Sequence, residues 1–485
     1  MSKTNEGVSK MTNYRWTICA MLFFATTINY LDRQVLSLTW MDFIAPEFHW
    51  TNTHYGYITM FFSGFYALCM LFAGRFVDWL DTKKGFLWAI GIWSLGACMH
   101  AYCGIATSGI VAGEWFVGFE GAREVIAKVD NVGKIINVSV MLFIFSRAVL
   151  ALGEAGNFPA AIKATAEYFP KKDRGFATSV FNAGGQIGAL LAPLSIPVIA
   201  KYFGWEMAFI IIGALGFIWM GFWVFVYKKP ENNPKVNAAE LAYINQDDEN
   251  LATNGKAKLQ EKKLSFGDCF KYKQTWSFAF GKFMTDGVWW FYLFWVPAYL
   301  SSVYDMPSSD PKAQIAIFVL YLISMLSLFG GYLPTIFVEK KGMEPYAGRM
   351  KAMLIFAFFP LLALFAQPLG HISYWLPIII IGIAGAAHQS WSANIFSTIG
   401  DMFPKSSIAT ITGIGGMAGG IGAMIINLGS GILFDYAQES NMSFLGYHGI
   451  EAGYFIIFSV CAVAYLIGWV VMKSLVPKYK PIVIE

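Results

Sequence analysis

The sequence contains little charge for its length. Of its 485 residues only 14% are Asp, Glu, Lys or Arg, whereas 56% are hydrophobic and 17% are aromatic. Soluble domains carry about 25% charged residues, so this composition excludes a soluble domain of ordinary type. The net charge of +4 reflects basic residues in loops and gives no surface suited to nucleic acid. We therefore expect an integral membrane protein with the lipid bilayer as its surroundings.

Cysteines and the motifs of catalytic sites are also scarce. The six cysteines show no metal-binding spacing, and most lie in apolar runs, so we expect small hydrophobic side chains without a disulfide framework. The glycine-rich segment 413–420 follows no strand and so does not match a nucleotide-binding fingerprint. The sequence contains no nucleophile elbow, metal triad or cofactor motif, and we predict no enzyme, no cofactor and no metal.

Long apolar runs are what the sequence has instead. A helix needs about 20 apolar residues to cross a bilayer, and on this basis the sequence predicts an all-α membrane protein with twelve transmembrane helices. We number them as spans one to twelve; they lie near 15–41, 54–80, 85–107, 136–166, 176–201, 205–228, 274–303, 313–338, 350–367, 372–398, 408–434 and 450–473. An even number of spans puts both chain ends on one side of the membrane.

The distribution of lysine and arginine predicts that side. The loops 45–53, 367–371 and 435–449 carry neither residue, whereas the opposite loops and both chain ends are basic. The positive-inside rule then predicts a multi-pass protein of the cell inner membrane with both termini cytoplasmic. The outer loop 109–135 is the exception, since it is long and contains Arg123. We expect it to fold against the outer face as an insertion without a role of its own.

The chain is predicted to divide into two six-helix halves. The long polar segment between spans six and seven is a cytoplasmic linker, so the predicted units are 1–228, 229–273 and 274–485. The halves repeat, because 169–171 (Phe-Pro-Lys) matches 403–405 and, at the same offset, the glycine-rich 185–189 matches 419–423. Repeated halves with a site between them are typical of secondary transporters.

The adjacent charges Asp32 and Arg33 lie inside the first apolar run. Insertion of such charges costs roughly 2.5–3.5 kcal/mol each. On a helix, Asn29, Arg33 and Ser37 recur every four residues and form a polar stripe together with Tyr30. Two interpretations remain open: an ion pair that fastens two helices, or a site for substrate and protons.

Span four carries a second acid and base, Arg147 and Glu154. They are seven residues apart, about 10.5 Å along a helix, and share a face, so a fastening between helices is again the alternative. With both acids ionised, the two acids and two arginines add to zero charge. Protonation of one acid would free an arginine for a carboxylate substrate. This predicts linked anion binding and proton uptake.

The second half supplies polar aromatics and amides. In span seven these are Trp289, Trp290, Tyr292 and Trp295, and in span ten they are Gln389, Trp391 and Asn394. Trp289 and Trp295 equally suit the aromatic belt at a membrane interface. Trp391 and Asn394 are three residues apart on one face, and an aromatic plane with amide groups suits a polyhydroxylated molecule. For His388 we expect hydrogen bonds to neighbours rather than a proton relay.

These motifs resemble a known family. The loop 74–85, with its glycine, aspartate and paired lysines, is similar to the signature loop of the major facilitator superfamily. Within that superfamily, residues 29–33, Arg147 with 153–156, and 169–170 resemble the anion:cation symporter family. The segments that resemble its hexuronate transporters are 289–295, 388–396, 401–405 and 413–419.

The resemblance implies the major facilitator fold and symport of a hexuronate, such as glucuronate or galacturonate, with protons by alternating access. Asp32 and Glu154 would carry protons, Arg33 would bind the carboxylate, and Arg147 would pair with Glu154. The substrate cavity would be lined by Tyr30, Tyr66, Gln186, Trp290, Tyr292, Gln389, Trp391 and Asn394. For the amide of span five, Asn182 is an alternative to Gln186.

Three classes of function remain open from the sequence. A proton-coupled sugar-acid symporter is one. Another is a transporter of a different organic anion, such as a galactonate- or glucarate-like acid, with or without proton coupling. The third is a membrane-embedded enzyme or sensor, for which the sequence provides no motif.

Overall fold

The computed structural model describes residues 11–253, 265–330, 332–403 and 407–482, and they are almost entirely helical. The predicted repeat positions 404–405 and linker residues 254–264 lie outside the described residues. The helices of the first half are Arg15–Thr39, the π-helical turn Trp40–Ile44, Ala45–Phe48, Asn52–Leu80, Thr82–Ala101, Cys103–Ala112, Phe119–Ala127, Val132–Glu154, Asn157–Tyr168, Lys171–Phe203 and Trp205–Val226.

The second half follows a partly helical linker. The linker elements are a 3-10 turn at Pro230–Asn232, Ala238–Thr253 and Phe266–Cys269. The later helices are Lys273–Tyr304, Pro311–Ser324, Ser327–Gly330, Leu333–Lys341, Pro345–Phe358, the 3-10 segment Phe359–Phe365, Ala366–Gly370, Trp375–Met402, Ile408–Glu439 and Ile450–Leu475. One short hairpin pairs Ser443–Phe444 with Tyr447–His448 in antiparallel register.

All twelve predicted spans are helical. By length and apolarity alone, eight helices of the described chain qualify as membrane spans, and span three becomes a ninth if its two segments, bent by 52°, are counted together. The other three spans are charged or broken. Span one contains Asp32 and Arg33, span seven contains Lys282 and Asp286, and span eight consists of three short helices. They pack into the same bundle, span one against span five and span seven against span eleven.

Matched glycines of the two halves make equivalent packing contacts. A Cβ atom added to Gly188 would collide with the carbonyl oxygen of Thr27 in span one, and one added to Gly422 would collide with that of Phe283 in span seven. Small residues let helix backbones approach this closely. The repeat seen in the sequence therefore corresponds to a repeat in packing, with spans five and eleven in equivalent places.

The bundle has two distinct ends. One end holds the linker and the first and last described residues, and it is called the terminal end. There the linker helix Ala238–Thr253 docks through Glu240, which accepts hydrogen bonds from the backbone N and Nη1 of Arg15 at 3.0 and 3.1 Å. At the opposite, distal end the insertion forms the helix Phe119–Ala127. Its Arg123 binds Glu206 at 2.6 Å and Glu47 at 3.4 Å. As predicted, the insertion folds against the bundle.

Two aspartates join the halves at the distal end. Asp435 of span eleven accepts hydrogen bonds from the backbone N–H groups of Asn52 and Thr53, at 2.9 and 2.7 Å, and so caps the start of span two. Asp42 accepts from the Ser301 hydroxyl at 2.6 Å and from the Ser308 backbone N–H at 2.7 Å. The halves are therefore fastened together at this end.

Removal of the Asp435 carboxylate should loosen the distal end. Hydrogen bonds to a charged group contribute about 1.5 kcal/mol or more each, so loss of the two backbone bonds in Asp435→Ala should raise the population of the distally open state about a hundredfold. The measurement is the labelling rate of a Thr59→Cys reporter, at a buried position of span two, the span that packs against span eleven, in a chain whose native cysteines are replaced. Asp130→Ala, which removes an exposed acid of the distal loop, is the control. Equal labelling rates in both variants would contradict the assignment.

Candidate functional site

A buried ion pair lies at the centre of the bundle. The guanidinium of Arg33 donates to Oε2 of Glu154 from Nε at 3.1 Å and from Nη2 at 2.8 Å. The side chains are 7% and 0% exposed. Charge-assisted bonds of this kind are the strong ones in proteins. Span one supplies the arginine, and span four supplies the acid immediately before its helix is interrupted.

Three aromatic rings surround the Arg33 guanidinium. Its central carbon lies 5.4 Å from the ring centroid of Tyr30, 4.9 Å from that of Tyr66 and 5.3 Å from that of Trp290. These distances are in the range of cation–π attraction. Trp290 belongs to the second half, whereas the other two rings belong to the first. The structure therefore brings together Arg33, Glu154 and three of the predicted lining residues, at the boundary between the halves.

In this structure Glu154 forms its ion pair with Arg33 and not with Arg147, the partner that the resemblance implies. Arg33 reaches Glu154 from the neighbouring helix, whereas Arg147 is two turns away on the same helix and lies over the ring of Phe62, 5.0 Å from its centroid. Its Nη1 has no hydrogen-bond partner among the described residues. The orientation of span one relative to span four decides which arginine meets the acid.

Asp32, the chain neighbour of Arg33 in span one, is also buried. It is 2% exposed, and within the described part of the chain neither carboxylate oxygen has a hydrogen-bond partner. Glu154 and Arg147 are both within its electrostatic range. The four predicted charges thus form one cluster in which one acid and one arginine are paired with each other.

Two predicted residues of span ten lie elsewhere. Trp391 is fully buried and meets Tyr465 of span twelve edge-on, with ring centroids 5.6 Å apart. Asn394 donates from Nδ2 to the carbonyl oxygen of Ser390 on its own helix, at 2.8 Å. Both are used in packing within the second half, and the structure does not bring them to Arg33.

The other predicted lining residues are spread over three spans. Tyr292 is buried beside Cys461 of span twelve. Gln389 is half-buried in span ten. Gln186 is half-buried in span five, next to Gly185, where an added Cβ would touch the ring of Tyr30. Of these three residues, Gln186 therefore lies next to the site, because its neighbour Gly185 packs against Tyr30, one of the rings around Arg33.

His388 is bound by its neighbours, as predicted. Its Nδ1 lies 2.8 Å from the Tyr465 hydroxyl, and its ring stacks on Trp289 with centroids 5.4 Å apart. This arrangement fixes the ring within the second half.

A buried charge pair within span seven was not predicted from the sequence. Lys282 and Asp286 of span seven form an ion pair with Nζ and Oδ2 2.7 Å apart. A lysine and an aspartate four residues apart within a predicted span were the signal that could have identified it.

The Arg33–Glu154 pair should show strong energetic coupling. Removal of one partner leaves a buried charge unpaired, which costs about 3–5 kcal/mol, whereas removal of both partners costs much less. We expect Arg33→Leu and Glu154→Leu each to lower the free energy of unfolding in detergent by about that amount, and the double variant to recover most of it. The exposed pair Lys271–Asp268 is the control and should show coupling below about 1 kcal/mol. Additive losses at Arg33 and Glu154 would contradict the pairing.

Comparisons with known proteins agree with the fold. The family model of the Major Facilitator Superfamily matches residues 22–427. The hexuronate transporter of Escherichia coli (strain K12) is 27% identical over 473 residues, which cover 96% of this chain and 95% of that protein. A probable galactarate/D-glucarate transporter of the same organism is 23% identical over 447 residues, which cover 90% of this chain and 92% of that protein.

Solved structures show the same fold. A bacterial homologue of the human lysosomal transporter Spinster, in an inward-facing and occupied conformation, superposes with a TM-score of 0.66 at 18% identity and covers 95% of this chain and 97% of its own. With the family match over most of the sequence, the chain belongs to the Major Facilitator Superfamily and is a multi-pass membrane transporter, not an enzyme.

Proposed function

We propose that this chain is a proton-coupled symporter that carries a hexuronate, such as glucuronate or galacturonate, by alternating access. The observation that carries the proposal is Arg33, a buried arginine held by an internal acid and ringed by aromatic side chains from both halves. The likeness to a hexuronate transporter over nearly the whole chain supports the choice of substrate class.

The substrate carboxylate would replace Glu154 at Arg33. A guanidinium presents two parallel N–H groups that fit a carboxylate, and Glu154 already accepts two such bonds with one oxygen. The rings of Tyr30, Tyr66 and Trp290 offer flat faces to the apolar side of a sugar ring. The displaced Glu154 then needs a proton, since an unpaired carboxylate is costly to bury.

Asp32 is the second proposed proton carrier. It has no donor among the described residues, and a bound proton removes the cost of burying its charge. Arg147 balances the charge of the cluster and stays in electrostatic range of both acids. Trp391 and Asn394 take no part in this mechanism, because both are engaged within the second half.

The proposed transport cycle moves the halves 1–228 and 274–485 against each other, with 229–273 as the link. Asp42 and Asp435 fasten the distal end, so the pathway would open at the terminal end. The distribution of basic residues makes that end cytoplasmic, in the inner membrane.

Transport by the purified protein tests the proposal. In proteoliposomes with a pH gradient, labelled glucuronate should accumulate above its external concentration, and without the gradient it should only equilibrate. Unlabelled glucuronate should compete, whereas glucose should not, because it lacks the carboxylate that binds Arg33. Equal competition by glucose would contradict the site. Accumulation of a different sugar acid, such as galactonate or glucarate, with no uptake of glucuronate would favour the alternative substrate class.

Substitution of either acid should abolish proton coupling and leave substrate binding intact. Asp32→Asn and Glu154→Gln imitate the protonated acids in shape and charge, so each variant should still exchange glucuronate across the membrane. Neither should accumulate it to the wild-type level under a pH gradient, because the substituted side chain can neither bind nor release its proton. Counterflow and gradient-driven uptake are measured side by side, and Glu124→Gln on the insertion helix is the control. Wild-type accumulation by both variants would exclude these acids as proton carriers.

A further inference from the structure

Span seven contains a second buried ion pair that the proposed mechanism does not use. Lys282 Nζ lies 2.7 Å from Asp286 Oδ2, and the side chains are 7% and 14% exposed. The ammonium also lies 4.3 Å from the ring centroid of Phe396 in span ten. Two charges at this depth in a transmembrane helix are costly and by default indicate a functional site.

The pair lies on the same face of span seven as Trp290. Lys282, Asp286 and Trp290 follow one another at intervals of four residues, so they are stacked turn by turn. Trp290 contacts the Arg33 guanidinium. The charge pair therefore continues the same face toward the terminal end, one to two helical turns from the Arg33 site.

The internal repeat gives the same placement independently. A Cβ added to Gly185 would touch the ring of Tyr30, and one added to Gly419, its match in the second half, would touch the carboxylate of Asp286. Asp286 thus occupies in the second half the place that Tyr30 occupies in the first, and Tyr30 lies against Arg33. From this correspondence we infer that Asp286, like Tyr30, lies on a wall that faces the boundary between the halves.

A purely structural role explains this pair poorly. Both residues belong to one helix, so their ion pair fastens no second helix, and pairs at this spacing stabilise a helix only slightly. Burying two charges costs more than such a pair returns. An ammonium also has three donors, of which Asp286 takes one.

We propose that Lys282 binds the second carboxylate of a sugar dicarboxylate whose first carboxylate is held by Arg33. Asp286 is the internal counter-ion that this second carboxylate displaces, as the substrate displaces Glu154 in the first half. The inference rests on the proposed function of Arg33. The two carboxyl carbons of a six-carbon dicarboxylate are joined by five bonds of roughly 1.5 Å, so the extended molecule covers about one helical turn of 5.4 Å. Asp286 lies one such turn from Trp290, and Lys282 Nζ lies beside the Asp286 carboxylate, 2.7 Å from its Oδ2.

The test compares two acids that differ only at the far end. Galactarate carries carboxylates at both ends, whereas galactonate has an alcohol in place of the second one. Dissociation constants are measured by calorimetry on the purified full chain. We expect galactarate to bind the wild type about tenfold more tightly than galactonate, as one charge-assisted contact predicts. In Lys282→Ala/Asp286→Ala this ratio should fall to about one, and in Lys282→Arg it should persist.

The double variant removes both charges and so leaves no buried charge unpaired; its folding is checked by its melting temperature. Lys271→Ala/Asp268→Ala, which removes an exposed pair, is the matched control and should keep the tenfold ratio. A wild-type ratio near one, or a ratio that survives in the Lys282→Ala/Asp286→Ala variant, would overturn the inference. If galactarate binding depends on Lys282 but glucuronate is not transported, the proposed hexuronate function fails while the dicarboxylate site stands.

Discussion

The ion pair between Arg33 and Glu154 is the interaction on which the centre of this bundle depends. An arginine in a transmembrane helix needs an anion beside it, and the internal acid Glu154 supplies one. The pair joins spans one and four, and the surrounding rings come from both halves. A change at the pair therefore alters contacts with side chains on both sides of the boundary between the halves. In the proposed mechanism, this contact links occupancy of Arg33 to the relative movement of the halves.

The fold was predictable because its signals are strong. Twelve apolar runs and a polar linker stand out in the sequence, and Asp32, Arg33, Arg147 and Glu154 stand out because charges are rare in such runs. The partner of Glu154 was not predictable. Arg147 is near Glu154 in the sequence, and Arg33 is close enough to contact it from span one. Which arginine pairs with Glu154 depends on how span one is rotated against span four. Helical spacing within one span contains no information on that rotation.

Spans ten and seven give two further examples of contacts that the sequence pattern did not predict. Trp391 and Asn394 do share a face, but that face meets span twelve, and in a helix that is apolar all round the pattern does not distinguish cavity from core. Lys282 and Asp286 are four residues apart in the sequence and could have been recognised as a pair. The prediction for span seven used only the neighbouring aromatic residues. Packing of the matched glycines gives Asp286 in the second half the place that Tyr30 has in the first.

The most direct test of the central claim is a count of protons at the moment of binding. If the substrate carboxylate takes the place of Glu154 at Arg33, the displaced acid takes up a proton, and linkage requires binding and proton uptake to depend on each other. Glucuronate added to the wild-type protein in weakly buffered solution at neutral pH should raise the pH. The size of the rise should correspond to the uptake of about one proton per bound molecule. Glu154→Gln should bind without that uptake. Glucuronate binding by the wild type with no proton uptake would contradict the account.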